Sequence, residues 1–168
     1  MKCVADYPAP GFMFAGFASK MPVGFGHWAE ASYPQDPSFR NRMKLDKPQA
    51  IARRNKELGG NVLGVNNCHF TLLDKKRNIW WFDIPVGRLQ IGQYEWIHLL
   101  LHTVESDRLL HLKVPTVFFR EHLDGLVVRN AGKRREEVTL ELSADKDSFL
   151  VDVRPAGKNV SFASFIQS

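Results

Sequence analysis

His98, His102 and His111 follow one another at strand-like spacings, and with His69 they make four of the six histidines in the chain. Neutral imidazoles beside carboxylates such as Asp83 or Asp152 are the donor set of a zinc or other divalent-metal site. The spacing argues against it. Residues four apart on a strand lie about 13 Å from each other, so His98 and His102 are too distant to share one ion. The one-turn pairing of zinc-binding helices is absent as well. No metal and no cofactor is expected, and the histidines with Asp83 and Asp152 form a polar cluster of unassigned chemistry.

Other reactive arrangements are also incomplete. Cys68 adjoins His69, but strand neighbours leave on opposite faces, so a thiolate–imidazolium pair does not follow. The stretch GGNVLG (59–64) lacks the lysine and the helix that a phosphate-cradling loop requires. A restriction-type nuclease core places an Asp on one strand and Glu-x-Lys on the next, the carboxylates holding Mg²⁺ and the lysine activating water. Here HLK (111–113) has histidine where the carboxylate belongs, and DVR (152–154) has arginine in place of the lysine. Membership of that family is not indicated, and no catalytic residue is assigned.

Recognition is better supported than catalysis. Arg40, Arg42, Lys44, Lys47, Arg53, Arg54 and Lys56 are opposed within 40–56 only by Asp46, and a second basic turn holds Arg129, Lys133, Arg134 and Arg135. Such runs grip phosphates through counterion release, although they also serve simply to solvate a helix face. The formal net charge of +5 tilts the same way.

The elements that position these residues come from period and punctuation. Segment 7–37 is rich in Gly, Pro and Phe without a sustained period, so it reads as an irregular wrap donating aromatic rings to a core. Asp46, Pro48 and Gly59 bracket a helix carrying Ile51 and Leu58 on one side. From residue 66 the period becomes two. CHFTLL (68–73) and IWWFDI (79–84) read as one hairpin halted at Pro85, EWIHLLLH (95–102) and RLLHLKV (108–114) as another halted at Pro115. Trp80, Phe82, Ile84 and Pro85 lie over Leu110, Leu112, Val114 and Pro115 at an offset of thirty, one structural idea used twice. TVFFREHLDG (116–125) suits a short amphipathic helix, LVVR (126–129), VTLEL (138–142) and SFLVDVR (148–154) extend the strands, and 161–167 suits a docking helical turn.

The expected fold is α+β: one antiparallel sheet of about five to seven strands built from successive hairpins, with two or three short helices on one face. The 168 residues are expected to form a single domain. Alternation sends Trp80, Phe82, Ile84, Phe70, Leu72, Ile97, Leu99, Leu101, Leu110, Leu112, Val114, Val138, Leu140, Leu142, Phe149, Val151 and Val153 inward. Outward go Ile79, Trp81, Asp83, His69, Thr71, Trp96, His98, Leu100, His102, His111, Lys113, Thr139, Glu141, Leu150, Asp152 and Arg154.

That outer face, with exposed tryptophans beside ionisable groups, is amphipathic enough for a ligand, a partner or a nucleobase. The expected function is nucleic-acid binding or processing. DNA or RNA phosphates would lie on Arg40, Arg42, Arg53, Arg54, Lys113, Arg134 and Arg154, and bases would stack on Trp81 and Trp96. The alternative is a non-enzymatic ligand-binding or protein-interaction domain, its tryptophan face forming a pocket or a homodimer interface. Two cysteines are too few for a disulfide scaffold. With no membrane-length apolar run and no secretory leader pattern, a cytoplasmic location without membrane association is expected.

Overall fold

The structure, a computed structural model, describes residues 44–168. The irregular segment 7–37, Arg40 and Arg42 lie outside the described residues.

Helix α1, Lys47–Glu57, starts where the sequence punctuates it. The Asp46 side chain accepts from the Gln49 amide at 2.8 Å, and the Gln49 side chain accepts from the Asp46 amide at 3.0 Å. This reciprocal capping satisfies two otherwise orphaned donors. Just past the helix, Gly59 takes φ +70, a left-handed conformation that suits a glycine stop.

The strands are β1 (Cys68–Leu72), β2 (Ile79–Pro85), β3 (Trp96–Thr103), β4 (Arg108–Pro115), β5 (Val127–Arg129), β6 (Glu137–Ser143) and the two-residue β7 (Ile166–Gln167). They do not form one antiparallel sheet. The first sheet has the order β1-β3-β4-β7, and the second β2-β6-β5. Thus six strands of three or more residues make two sheets of three, with β7 added at one edge. The second sheet is antiparallel throughout, whereas β1 runs parallel to β3 in the first.

The largest correction concerns the first expected hairpin. Beyond β1, the Leu73 amide still donates to the His102 carbonyl at 2.9 Å, so the chain holds to β3 until the Asp74–Ile79 bridge. β2 then leaves for the second sheet. Alternation specifies which side chains share a face but not which strand lies alongside. The second hairpin forms as expected, β3 against β4 from Trp96↔Pro115 to Thr103↔Arg108. Both strands that end in proline turn directly into a helix, a 3₁₀ turn at Val86–Leu89 and helix α2 at Thr116–Glu121. The local idea is used twice, but β2 and β4 take different partners. The expected helix over 116–125 changes to a 3₁₀ turn at Leu123–Gly125.

The two sheets pack through their inner faces. Trp80, Phe82, Ile84, Val138, Leu140 and Leu142 of the second meet Ile97, Leu99, Leu101, Leu110, Leu112 and Val114 of the first, and all are buried. Burying a side chain of this kind stabilises by about 1.5–3 kcal/mol relative to exposure. Phe119 of α2 and Phe162 close one margin.

Three phase expectations fail. Cys68↔His98 and Phe70↔Leu100 put Phe70 on the outer face of the first sheet, where it packs beneath α1. Ile79, expected outside, is buried. Residues 148–154 make no continuous strand. Leu150 takes φ +58, and it and Asp152 are fully buried while Val153 is exposed, the reverse of the expected alternation. A left-handed residue resets the period-two pattern for the residues after it. The C-terminal segment forms a 3₁₀ turn, Ala163–Phe165, and then β7.

Candidate functional site

The expected polar face is divided between the backs of two different sheets. On the first, His98, Leu100 and His102 share the outer face with Cys68, Phe70, His111 and Lys113. Helix α1 covers it with Ala50, Ile51 and Arg54, so His98, His102 and His111 are buried rather than presented to solvent.

Beneath α1 the hydrogen bonds have a fixed direction. Arg54 Nε donates to His111 Nδ1 at 3.1 Å, and His111 Nε2 lies 2.9 Å from His98 Nδ1. An arginine has no acceptor. His111 therefore carries its proton on Nε2 and donates it to His98, whose own proton sits on Nε2. Burial holds both imidazoles down to about 4, helped at His111 by the neighbouring His98, Arg54 and Lys113, and at His98 by Lys113. The rest of the Arg54 guanidinium donates to Glu57 at 2.9 Å and to the backbone oxygens of Ser168 at 2.9 Å and Gln167 at 3.4 Å. Arg53 is held by the Asp107 carboxylate at 2.9 Å, which also faces His102 Nε2 at 3.2 Å. The His102 contact and then Arg53 hold the Asp107 carboxyl below its usual range.

This arrangement is a clamp for α1. It leaves Arg54 unavailable to a ligand, and among the described residues no three His, Cys, Asp or Glu side chains group as metal ligands. His69 stands apart, on the opposite face of β1, with Nε2 3.3 Å from Arg88. Burial followed by the Arg88 and Lys47 charges holds its imidazole down to about 4. Burial pushes the Cys68 thiol up to about 12, in keeping with a packed rather than reactive cysteine.

The back of the second sheet is open along β2 at Trp81 and Asp83, whereas Thr139 and Glu141 of β6 are buried beside them. Trp81 is 41% exposed. The Arg77 guanidinium lies 5.7 Å from its ring centre and that of Arg154 5.8 Å, within cation–π range. The indole N–H donates to Asp83 at 3.2 Å, which fixes the ring on the sheet. Asp83 also accepts from Thr139 Oγ1 at 2.7 Å, and its second oxygen lies 3.6 Å from Arg129. Arg77 pairs with Glu141. Asp152 does not reach this surface. It is fully buried, accepts from the Glu141 amide at 2.8 Å, and its other oxygen has no partner. Burial pushes its carboxyl up despite the opposing Glu141 and Arg154 amides. Arg154 carries a buried Nη1 without a protein acceptor.

Along the same strands the face runs into a basic groove of about 540 Å³. One wall is Pro85, Val86, Gly87 and Gln90, the other Lys133, Arg134 and Arg135 with Glu136 and Glu137. Gly132, at φ +75, lets the β5–β6 turn bend tightly enough to present these cations. Lys133, Arg134, Arg135 and Arg154 make no salt bridge among the described residues.

Trp96 lies on the first sheet, away from Trp81 and only part-exposed, with Lys113 Nζ 4.4 Å from its ring centre. It borders a separate groove of about 460 Å³ with Tyr94, Thr116, Arg120 and the exposed Ile91 and Val117. The two tryptophans therefore do not form one platform. Arg77 is the functional candidate that sequence reasoning missed. No period-two signal points to it, because Asn78 at φ +54 interrupts the alternation between Arg77 and β2. No protein-family model, no curated protein and no solved structure matches this chain.

Proposed function

We propose that the protein binds nucleic acid through the back of the second sheet. The observation that carries the reading is the exposed Trp81 ring with the Arg77 and Arg154 guanidinia beside it. An exposed indole with guanidinium groups over it offers a base stacking and cation–π contacts. The unpaired cations of the adjacent groove add the electrostatic term that dominates such binding. The basic helix contributes less than its composition suggests, because Arg53 and Arg54 are held internally.

The test is a salt titration with labelled DNA and RNA. Affinity falling steeply and linearly in the logarithm of salt concentration is expected. Absence of binding at low salt leaves the second reading, a protein-interaction or dimerising domain, which the exposed Ile91 and Val117 at the Trp96 groove favour. That reading predicts concentration-dependent association in sedimentation, lost in Ile91→Asp.

A further inference from the structure

We infer that the nucleic acid taken by this face is single-stranded, with an unpaired base on Trp81 and phosphates in the basic groove beyond Pro85. The inference rests on the nucleic-acid reading above and adds the state of the strand.

Duplexes hide the faces of their bases against one another and show only base edges in the grooves. An exposed indole with guanidinia over it is matched to a base that has left its stack, since an unstacked base packs on aromatic rings and on arginine planes alike. The charges around Trp81 point the same way. Arg77 and Arg129 are already paired with Glu141 and Asp83, so the immediate surroundings of the ring are close to neutral. Two phosphate backbones brought down on this area would meet the Asp83 carboxylate. A single strand can lay its base on the ring and send its phosphates elsewhere.

The groove is where they can go. Pro85 and Glu137, a register pair at the end of β2 and β6, line it, and Trp81 and Glu141 are another register pair of the same two strands. From Trp81 to Pro85 is four residues, about 13 Å along the strand. At about 3.4 Å per stacked nucleotide, that is the reach of about four nucleotides. The open space over Gly87 leaves that wall of the groove accessible to a backbone. Arg154 lies at the Trp81 end, and Lys133, Arg134 and Arg135 lie at the other.

The experiment is anisotropy of the whole chain with a labelled twelve-residue oligothymidylate and with its blunt duplex on oligoadenylate, at low salt. The single strand is expected to bind at least tenfold more tightly. Trp81→Ala should cost about tenfold or more, the range seen for lost base stacking, while Trp81→Phe keeps most of the affinity. Arg134→Ala with Arg135→Ala should weaken the single strand too, and unlabelled tetrathymidylate should compete where the dinucleotide does not. Circular dichroism and unfolding curves confirm that the variants are folded. Duplex binding as tight as single-strand binding, or single-strand binding indifferent to both Trp81→Ala and the arginine pair, overturns this inference while nucleic-acid binding stands. Binding of neither oligonucleotide overturns both.

Discussion

The backs of the two sheets began as the same kind of surface, a row of alternating polar and aromatic residues, and they have opposite fates. On the first sheet a helix lies over the row, and beneath it Arg54, His111 and His98 form a chain of donors and acceptors, with His102 Nδ1 left without a partner. On the second, Trp81 and Asp83 of β2 stay exposed while Thr139 and Glu141 of β6 are buried beside them, and the charges pair around the indole. Polarity within a strand therefore says little about availability. A polar group becomes a binding element only where nothing in the fold has already claimed it.

The sharpest way to break this comparison is acid. His98 and His111 are held to about 4 against 6.5 in the unfolded chain, so the unfolded state takes up protons first as pH falls. Their contribution is complete above about pH 6.5 and is lost as pH falls through 4, on the order of 3 kcal/mol for the coupled pair. Urea midpoints should hold level from pH 7.5 to about 6.5 and fall from there to 5. Asp152 works in the other direction, because a carboxyl raised in the folded state binds its proton there first. Asp152→Asn should therefore steepen the loss of stability at the acid end, as pH falls toward the ordinary carboxylate range.

A smaller effect comes from Arg54→Ala, which leaves the acceptors at His111, Gln167 and Ser168 without their donor. It is expected to lose about 2 kcal/mol, typical of a hydrogen-bonded charged group removed from a buried site, and to leave oligonucleotide affinity unchanged. Arg54→Lys should not restore the loss, since one ammonium cannot reproduce the planar fork. Smallest is Trp81→Ala, which should change unfolding free energy by only about 0.5 kcal/mol while abolishing most binding. A large stability loss there would erase the distinction between the two surfaces.

Much of this was legible in the sequence at the level of faces and element ends. Trp80, Phe82 and Ile84 point inward, and Asp46 and Gly59 delimit α1, because alternation and capping are local chemistry. Pairing was not legible. Phe70 reads equally well on either side of β1 until the parallel partner β3 fixes its register. Nor does Ala50–Ile51–Arg54 disclose what it covers: an apolar stripe with a buried arginine requires acceptors below, but nothing local says they are imidazoles. Asp152 misled because a single left-handed residue, Leu150, intervened.

The parallel pairing of β1 with β3 has one more consequence. β3 carries an eight-residue run, WIHLLLHT, and among the described residues β1 alone pairs with the margin that β4 leaves. Should α1 and β1 detach together, for instance when the imidazoles charge, that margin would offer unsatisfied amides and carbonyls beside three consecutive leucines, a template for joining another chain. Acid-opened protein is then expected to self-associate rather than simply to unfold, so the clamp over the histidines also guards the molecule against its own copies.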